Sequence, residues 1–179
     1  METHEIILVN EMDEEIGTAP KMDAHEKGLL HRAFSVFIFN TAGKLLLQQR
    51  ADEKYHCGGL WTNTCCSHPM PGEITEQAAA RRLYEEMGFQ TALQEIFHFT
   101  YNSRFENGLT EYEYDHVFAG EYEGPVQPDK KEVKDFRFLH LYKIKKMMEE
   151  DPAQFTPWFI IAFPEVENWW MTKYQHLLA

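Results

Sequence analysis

Cysteine is scarce in this 179-residue chain, which contains three cysteines and no CxxC pair. The odd number leaves at least one thiol free, and a free thiol stays reduced in the cytoplasm, the compartment that we expect. Long hydrophobic runs are also missing, because the apolar stretches at 36–39 and 158–163 are far too short to cross a bilayer. The first five residues have neither the basic residues nor the apolar core of a signal peptide. We therefore expect no membrane partner.

Basic residues are outnumbered, since 17 Lys and Arg face 29 Asp and Glu and give a formal net charge of −12. A field of this sign repels phosphates at long range, which argues against a nucleic-acid partner. A small anionic substrate would need metal ions and a few local cations. The hydrophobic content of 44% and the length predict a folded globular protein with a single domain over residues 1–179. The composition leaves the oligomeric state open.

Apolar runs separated by turn residues predict strands and helices in alternation. Strands are predicted at 5–9, 33–39, 45–49, 96–105, 111–119 and 133–139, the second and third forming a hairpin. Helices are predicted at 76–87, with Thr75 as N-cap and Gly88 at its end, at 141–149, and at 158–174 with an interruption near Pro164. Residues 21–30 are predicted to be a polar connection. This order predicts an α/β fold, a mixed sheet covered by helices in a single compact domain.

Cys66 and His68 are two residues apart, so in extended backbone their side chains point to the same side. A free cysteine is commonly buried with a packing role only, but the flanking Ser67 and Pro69 are residue types that rarely occur in a hydrophobic core. A nearby imidazole or cation lowers the pKa of a thiol from about 8.5, which makes it a usable base. We predict a chemical role for Cys66 and a packing role for Cys65.

Three carboxylates alternate along the fifth predicted strand, and Glu111, Glu113 and Asp115 therefore share one face. A solvated edge strand would also carry such a pattern. Because this strand continues into the apolar residues 117–119, we favour a bound cation, which relieves the repulsion between the carboxylates. His25 or His31 taken singly would be an ordinary histidine. Only their combination with the other ligand-type residues indicates a metal site. The combined ligand set for Mn²⁺, Mg²⁺ or Zn²⁺ comprises His25, His31, His68, Glu111 and Glu113.

The helix at 76–87 carries the i,i+4 pairs Arg81/Glu85 and Arg82/Glu86. These are either surface salt bridges, each contributing about 0.3–0.5 kcal/mol, or a phosphate contact from Arg82 and a Mg²⁺ ligand from Glu86. Other cations that could contact phosphate are Lys21, Arg50 and Lys54. Tyr101 and Trp158 are most simply core aromatics, although an indole face also stabilises a nearby cation by about 0.5–2 kcal/mol.

The stretch 67–89 resembles a Nudix box, G-x5-E-x7-R-E-U-x-E-E-x-G-U, where U is aliphatic. The matching residues are Glu73, Arg81, Leu83, Glu85, Glu86 and Gly88. The departures are Ser67 for the leading Gly, Arg82 for the Glu after Arg, and Phe89 for the last aliphatic residue. Segments 30–35, 61–69, the Glu111-x-Glu113 strand and Pro157-Trp158 resemble the type I isopentenyl-diphosphate isomerase family of the Nudix superfamily. The similarity runs from about 21 to 160, with a closing helical segment at 156–174.

The resemblance implies an isomerase of isoprenoid biosynthesis that converts isopentenyl diphosphate to dimethylallyl diphosphate by a 1,3 proton shift. Its implied catalytic residues are Cys66 and Glu113, with Tyr101 assisting Glu113. Its implied residues at the first metal are His25, His31, His68, Glu111 and Glu113. It also implies a Mg²⁺ that binds with the diphosphate through Glu86, and substrate contacts from Lys21, Arg50, Lys54, Arg82 and Trp158.

Two other functions stay open on the residues alone. A Nudix hydrolase of a nucleoside or prenyl diphosphate would need no thiol and no three-histidine site, and would favour Glu at position 82. A metal-binding or sensor module without catalysis would not explain the cations Arg50, Lys54 and Arg82 near a metal site.

Overall fold

The computed structural model describes residues 4–177, and the remaining residues of the predicted 1–179 domain lie outside that range. Within it the strands are β1 (Glu5–Val9), β2 (Glu15–Pro20), β3 (His31–Phe39), β4 (Leu45–Arg50), β5 (Trp61–Thr62), β6 (Cys65–Ser67), β7 (Gln94–Arg104), β8 (Thr110–Glu121) and β9 (Val133–Leu139). The helices are α1 (Lys21–Lys27), α2 (Thr75–Met87), α3 (Leu141–Glu150) and α4 (Pro157–Lys173). None of the helices in this range has both the length and the apolar character that a membrane crossing needs.

Strand β3 lies at the centre of one mixed sheet. It runs parallel to β8, from His31 opposite Glu113 to Phe39 opposite Glu121. Strand β6 pairs with β3 in the antiparallel sense, and β7 pairs with β8 in the same sense. The segment of Cys66 and the strand of Glu113 are therefore both hydrogen-bonded neighbours of β3.

Helices cover both faces of the sheet, and the alternating side chains of β3 contribute to a core on each face. Phe37 and Phe39 pack in the core that α4 covers. Phe34, Val36 and Ile38 pack in the core that α2 covers. Since successive side chains of a strand point to opposite faces, one apolar strand serves both cores. This arrangement confirms the predicted α/β fold with a mixed sheet in a single compact domain.

Every predicted strand is present, with bounds that differ by no more than two residues. The two strands of the predicted hairpin are adjacent, but they share little of a hydrogen-bonded ladder. Strands β3 and β4 are antiparallel but pair at the single position Phe39 opposite Leu45. The ladder of β4 is made with β9 instead, over the register from Leu45 opposite Leu139 to Arg50 opposite Val133.

The predicted polar connection at 21–30 is wrong, because α1 occupies most of it. Gly28 ends this helix in the left-handed conformation, with φ of 63°. Ala24 and His25 are fully buried on its inner side. A helix this short is marginal by itself, so its packing against the sheet stabilises it, and its seven residues show too little periodicity to reveal that.

Two smaller predictions about helices are also wrong. Thr75 is the first helical residue rather than the N-cap, a position that Ile74 takes without a side-chain hydrogen bond. Pro164 does not interrupt α4, which is continuous. A proline removes a single backbone hydrogen bond, and the buried apolar face of α4 offsets that loss.

Candidate active site

Most of the predicted site residues line one cavity, whose walls come from β3, β4, β6, β7, β8, α1, α2, α4 and the 51–60 loop. The predicted residues that line it are Lys21, Arg50, Lys54, Cys66, His68, Arg82, Glu86, Tyr101, Glu111, Glu113 and Trp158. The two remaining predicted residues, His25 and His31, are fully buried and do not line the cavity.

The three predicted histidines are packed together beside Glu113. The ring centroids of His25 and His31, and of His31 and His68, are 4.9 Å apart. Nε2 of His68 lies 2.9 Å from Oε1 of Glu113, and Nε2 of His31 lies 3.4 Å from the same oxygen. Burial raises the pKa of Glu113, but the neighbouring imidazoles of His31 and His68 outweigh it and hold that pKa well below its ordinary value. The carboxylate is therefore ionised beside the imidazole nitrogens.

The chemistry of this group fits a divalent metal ion. Nδ1 of His25 contacts the backbone carbonyl of Lys21 at 2.6 Å, and Nδ1 of His31 contacts that of Leu29 at 2.8 Å. Because a carbonyl only accepts, each Nδ1 carries a proton, so in the neutral ring the lone pair lies on Nε2. Both Nε2 atoms are buried and have no hydrogen-bond partner within residues 4–177. One ligand atom each from His25, His31, His68 and Glu113 lies within 4.8 Å of the others, so the group is compatible with a divalent metal.

Glu111, the fifth predicted ligand, belongs to an overlapping group with His25 and His56. Its Oε1 lies 3.8 Å from Nε2 of His25 and 2.6 Å from Nε2 of His56. Burial and the charge of Glu113 raise the pKa of Glu111, but the two histidines outweigh them and lower it to about 2. The predicted five ligands thus form two groups that share His25.

Tyr101 links the two carboxylates of β8. Its hydroxyl lies 2.7 Å from Oε2 of Glu111 and 2.7 Å from Oε2 of Glu113. Burial, followed by the charge of Glu111, raises the pKa of Tyr101 well above its ordinary value, so the hydroxyl keeps its proton. One hydroxyl has one proton and donates to one carboxylate at a time. The arrangement can therefore pass a proton between Glu111 and Glu113 once one of the two carboxylates has been protonated.

The expected low pKa of Cys66 is wrong. Burial raises the pKa of this thiol above its ordinary value, and the nearby cation Arg50 only partly opposes the effect. Nε2 of His68, the imidazole that was expected to help, contacts Glu113 instead. Cys66 is thus a neutral thiol on the cavity wall. Cys65 is fully buried in the core under α2, as its predicted packing role requires.

Four cations line the cavity and form its cation group: Lys21, Arg50, Lys54 and Arg82. Burial lowers the pKa of Lys21, and the positive charge of Lys54 lowers it further. Glu132 pairs with Lys54 and also lies 3.7 Å from Arg82. Cations crowded in this way favour an anionic ligand, which relieves their repulsion.

Glu86 is buried at the edge of the cation group. Arg82 donates to its Oε1 at 2.6 Å, and Gln48 donates to its Oε2 at 2.9 Å. The predicted i,i+4 pair of Arg82 and Glu86 is confirmed, and so is the pair of Arg81 and Glu85 at 3.3 Å. Glu86 is held rigidly, because each carboxylate oxygen accepts a hydrogen bond from a buried or partly buried donor.

Comparison with known proteins decides the family. A family model described as NUDIX domain matches residues 29–159. An isopentenyl-diphosphate Delta-isomerase of Pectobacterium atrosepticum is 49% identical over 166 residues, which cover 93% of this chain and 93% of the relative. One of Burkholderia multivorans is 50% identical over 154 residues, which cover 86% and 88%. This chain belongs to the isopentenyl-diphosphate Delta-isomerase family.

Solved structures show that this isomerase-family chain has the fold of more distant proteins. A Deinococcus radiodurans crystal structure superposes with a TM-score of 0.68 at 18% identity, covering 82% of this chain and 90% of that one. A MutT protein from Methanosarcina mazei superposes with a TM-score of 0.64 at 19% identity, covering 78% and 94%. At these identities the likeness extends to the fold alone.

His56 and Glu132 are among the residues at the site that the sequence-based prediction for this isomerase-family member missed. His56 lies in the 51–60 loop, with no partner at a recognisable spacing, and only the folded chain brings it to Glu111. Glu132 precedes β9 and pairs with Lys54 from 78 residues away. For the 51–60 loop, the glycine pair Gly58-Gly59 is the only sign of a sharp turn in the sequence. A Cβ on Gly58 would lie 2.4 Å from the carbonyl oxygen of Asp52.

Proposed function

We propose that this protein interconverts isopentenyl diphosphate and dimethylallyl diphosphate by moving one proton to and one proton from a three-carbon allylic unit. The names of its relatives support this reaction. The observation that carries it is the shared cavity of Cys66 and the linked pair Tyr101–Glu113, next to a group of cations. Two proton-exchanging groups and an anion site are the minimum that this reaction needs.

The reaction requires a strong, positioned acid, because an unactivated alkene is a very weak base. One group protonates the terminal carbon to give a tertiary carbocation, and the other removes a proton from C2. Cys66 is one of these groups, and Glu113 with Tyr101 is the other. Because the reaction is reversible, each group donates in one direction and accepts in the other. Such acid–base assistance contributes about 10²- to 10⁴-fold to the rate.

A divalent ion completes the proposed site. His25, His31, His68, Glu111 and Glu113 would hold Mn²⁺, Mg²⁺ or Zn²⁺, which when bound supplies positive charge that lowers the basicity of the carboxylates. Glu86 would hold a Mg²⁺ that arrives with the diphosphate. Support comes from the buried Nε2 atoms of His25 and His31, which have no hydrogen-bond partner among the described residues, and from the buried position of Glu86 beside the cation group.

The diphosphate would be bound by Lys21, Arg50, Lys54 and Arg82 and so fix the hydrocarbon end near Cys66 and Glu113. Trp158 is buried and lines the same cavity, and the guanidinium of Arg50 lies 5.3 Å from the centroid of its ring. An indole that already faces one cation is suited to stabilise a carbocation by about 0.5–2 kcal/mol. The same ring would keep water from trapping the cation as an alcohol.

A Nudix hydrolase of a nucleoside or prenyl diphosphate is the second candidate, since the chain has most of a Nudix box. Against it, the position after Arg81 is Arg82, whose guanidinium is paired with Glu85 and Glu86 rather than adding a carboxylate. A hydrolase would also have no use for the thiol of Cys66 in the cavity.

One experiment separates these functions. The protein is incubated with isopentenyl diphosphate and Mg²⁺ and followed by proton NMR, with phosphate release measured in parallel. We expect a second vinylic methyl signal to appear without released phosphate. Phosphate or pyrophosphate release without that signal would contradict the isomerase and favour the hydrolase.

A further inference from the structure

His56 is a buried histidine on the cavity wall that the proposed mechanism does not use. Its exposed fraction is 5%. Its Nε2 lies 2.6 Å from Oε1 of Glu111, yet both ring nitrogens lack a well-aligned hydrogen bond. A polar ring at this depth is costly unless its polar atoms are engaged. The contact with the carboxylate of Glu111 therefore explains why the imidazole of His56 is buried here.

The surroundings of His56 fix the direction of its ring. The ring is stacked on Phe105, with centroids 4.8 Å apart and 6° between the planes, and meets Trp158 edge-on at 5.9 Å. Its backbone carbonyl accepts a hydrogen bond from the guanidinium of Arg50 at 3.2 Å. Packed aromatic rings and a charged donor together leave the imidazole little freedom to turn away from Glu111.

His56 lies outside the main group of ligands. Its ring nitrogen lies close to the ligand atoms of His25 and Glu111. The larger group of candidate ligands consists of His25, His31, His68 and Glu113. Two ligands of one ion, each bonded at about 2.1 Å, are separated by at most about 4.2 Å. Neither His56 nor Glu111 satisfies even a 4.8 Å limit with the whole larger group, so in this structure the two residues are grouped with each other and with His25.

We propose that His56 is a positioning residue of the metal centre, whose ring sets the direction of the Glu111 carboxylate. The other oxygen of that carboxylate contacts the hydroxyl of Tyr101 at 2.7 Å, so His56 and Tyr101 hold Glu111 from two sides. The role rests on the metal-dependent function proposed above. Partners that hold a metal ligand in place typically change metal affinity by about 10- to 100-fold.

The test compares Mn²⁺ binding by three variants of the full chain, measured by calorimetry and electron paramagnetic resonance without substrate. His56→Phe keeps the ring stack on Phe105 and removes both nitrogens, whereas His56→Gln keeps a polar donor. We expect His56→Phe to weaken Mn²⁺ binding by about 10- to 100-fold and His56→Gln to restore most of it. His140→Phe, at an exposed histidine beside Tyr142, is the matched control and should bind as the parent does.

Nitrogen couplings in the Mn²⁺ spectrum distinguish a positioning residue from a ligand. We expect the number of coupled imidazoles to be the same in His56→Phe as in the parent. Loss of one imidazole coupling, or loss of a second bound Mn²⁺, would make His56 a ligand and overturn the proposal. Unchanged affinity in His56→Phe would overturn it as well. If His56→Phe does not fold, His56→Asn, whose amide is too short to reach Glu111, takes its place with the same expectation.

The outcome is independent of isomerisation. A parent protein that binds Mn²⁺ but does not isomerise the diphosphate would contradict the proposed function, while weaker binding in His56→Phe would still support the positioning role. A parent that binds no divalent ion would overturn the metal centre and with it the role of His56.

Discussion

His31 and Glu113 face each other on the parallel strands β3 and β8, and the side-chain atoms Nε2 and Oε1 lie 3.4 Å apart. A backbone register therefore places an imidazole and a carboxylate side by side in the middle of the sheet. These two members of the candidate metal group are held by the strand pairing, whereas His25 lies on the short helix α1 and His68 follows β6. Because the pairing of β3 with β8 does not involve the cavity-wall side chains, the effects of substituting those side chains can be separated from loss of the fold.

Cys66→Ala should abolish isomerisation while the fold and the metal content stay intact. The thiol lies on the cavity wall and in neither ligand group, so its loss removes one proton-exchanging group only. We expect kcat to fall by about 10²- to 10⁴-fold, measured by proton NMR. The matched control is Cys65→Ala, which alters the core under α2 and should keep the parent's turnover. Isomerisation by Cys66→Ala at the parent's rate would exclude Cys66 as one of the two proton-exchanging groups.

Tyr101→Phe should slow turnover without weakening substrate binding. It removes a hydroxyl that lies 2.7 Å from both Glu111 and Glu113, and hydrogen bonds to charged groups contribute about 1.5–3 kcal/mol. We expect kcat to fall by roughly 10- to 150-fold, with KM nearly unchanged. Tyr114→Phe is the control, because Tyr114 occupies the opposite face of β8. Equal kinetics in the two variants would exclude Tyr101 from the proton path.

Much of the fold follows from local patterns. The strand of Glu111, Glu113 and Asp115 is predicted by alternation, and all three are buried on one face as expected. The parallel pairing of β3 with β8 is not predictable in this way, because the register joins residues about 80 positions apart and depends on tertiary packing. The short helix α1 escapes prediction for the same reason, since its stability comes from buried Ala24 and His25.

The site is predictable where a motif or a resemblance supplies the residues, as for Cys66 and Glu113, both of which line the cavity. The prediction is wrong where a contact between two side chains is inferred from their spacing in the sequence alone. The two-residue spacing of Cys66 and His68 predicts that the imidazole serves the thiol, whereas the fold turns it to Glu113. His56 has no spacing signal, because its contact with Glu111 is formed across the cavity.

Lys54→Met should weaken substrate binding more than it slows the reaction. Lys54 is part of the cation group and is paired with Glu132, so it offers the diphosphate a charge in the ground state and the transition state alike. We expect KM to rise about tenfold, equivalent to about 1.4 kcal/mol, with kcat within about twofold. Lys134→Met, which removes an exposed pair with Asp52 at 2.8 Å, should leave both values unchanged. A large fall in kcat for Lys54→Met would place this residue in the chemical step.

Trp158→Phe should slow isomerisation while preserving the cavity wall. The smaller ring keeps an apolar surface but loses the indole, which is worth about 0.5–2 kcal/mol to a facing cation. We therefore expect kcat to fall by roughly 2- to 30-fold, measured by proton NMR. Trp61→Phe is the control, since Trp61 packs in the same core and faces Arg137 outside the cavity. The role of Trp158 in stabilising the cation would be contradicted by a kcat equal to that of Trp61→Phe.

Alkylation of Cys66 should stay slow as the pH rises from 7 to 9. Burial raises the pKa of this thiol, so the neutral form persists to higher pH than in an ordinary cysteine, which titrates near pH 8.5. The measurement is the iodoacetamide labelling rate of Cys66, resolved by peptide mass spectrometry across this pH range. The control is the same chain unfolded in urea, in which the labelling of Cys66 should rise around pH 8.5. A folded-state labelling rate that levels off below pH 8.5 would mean that the pKa is lowered instead, and that Cys66 rests as a thiolate base.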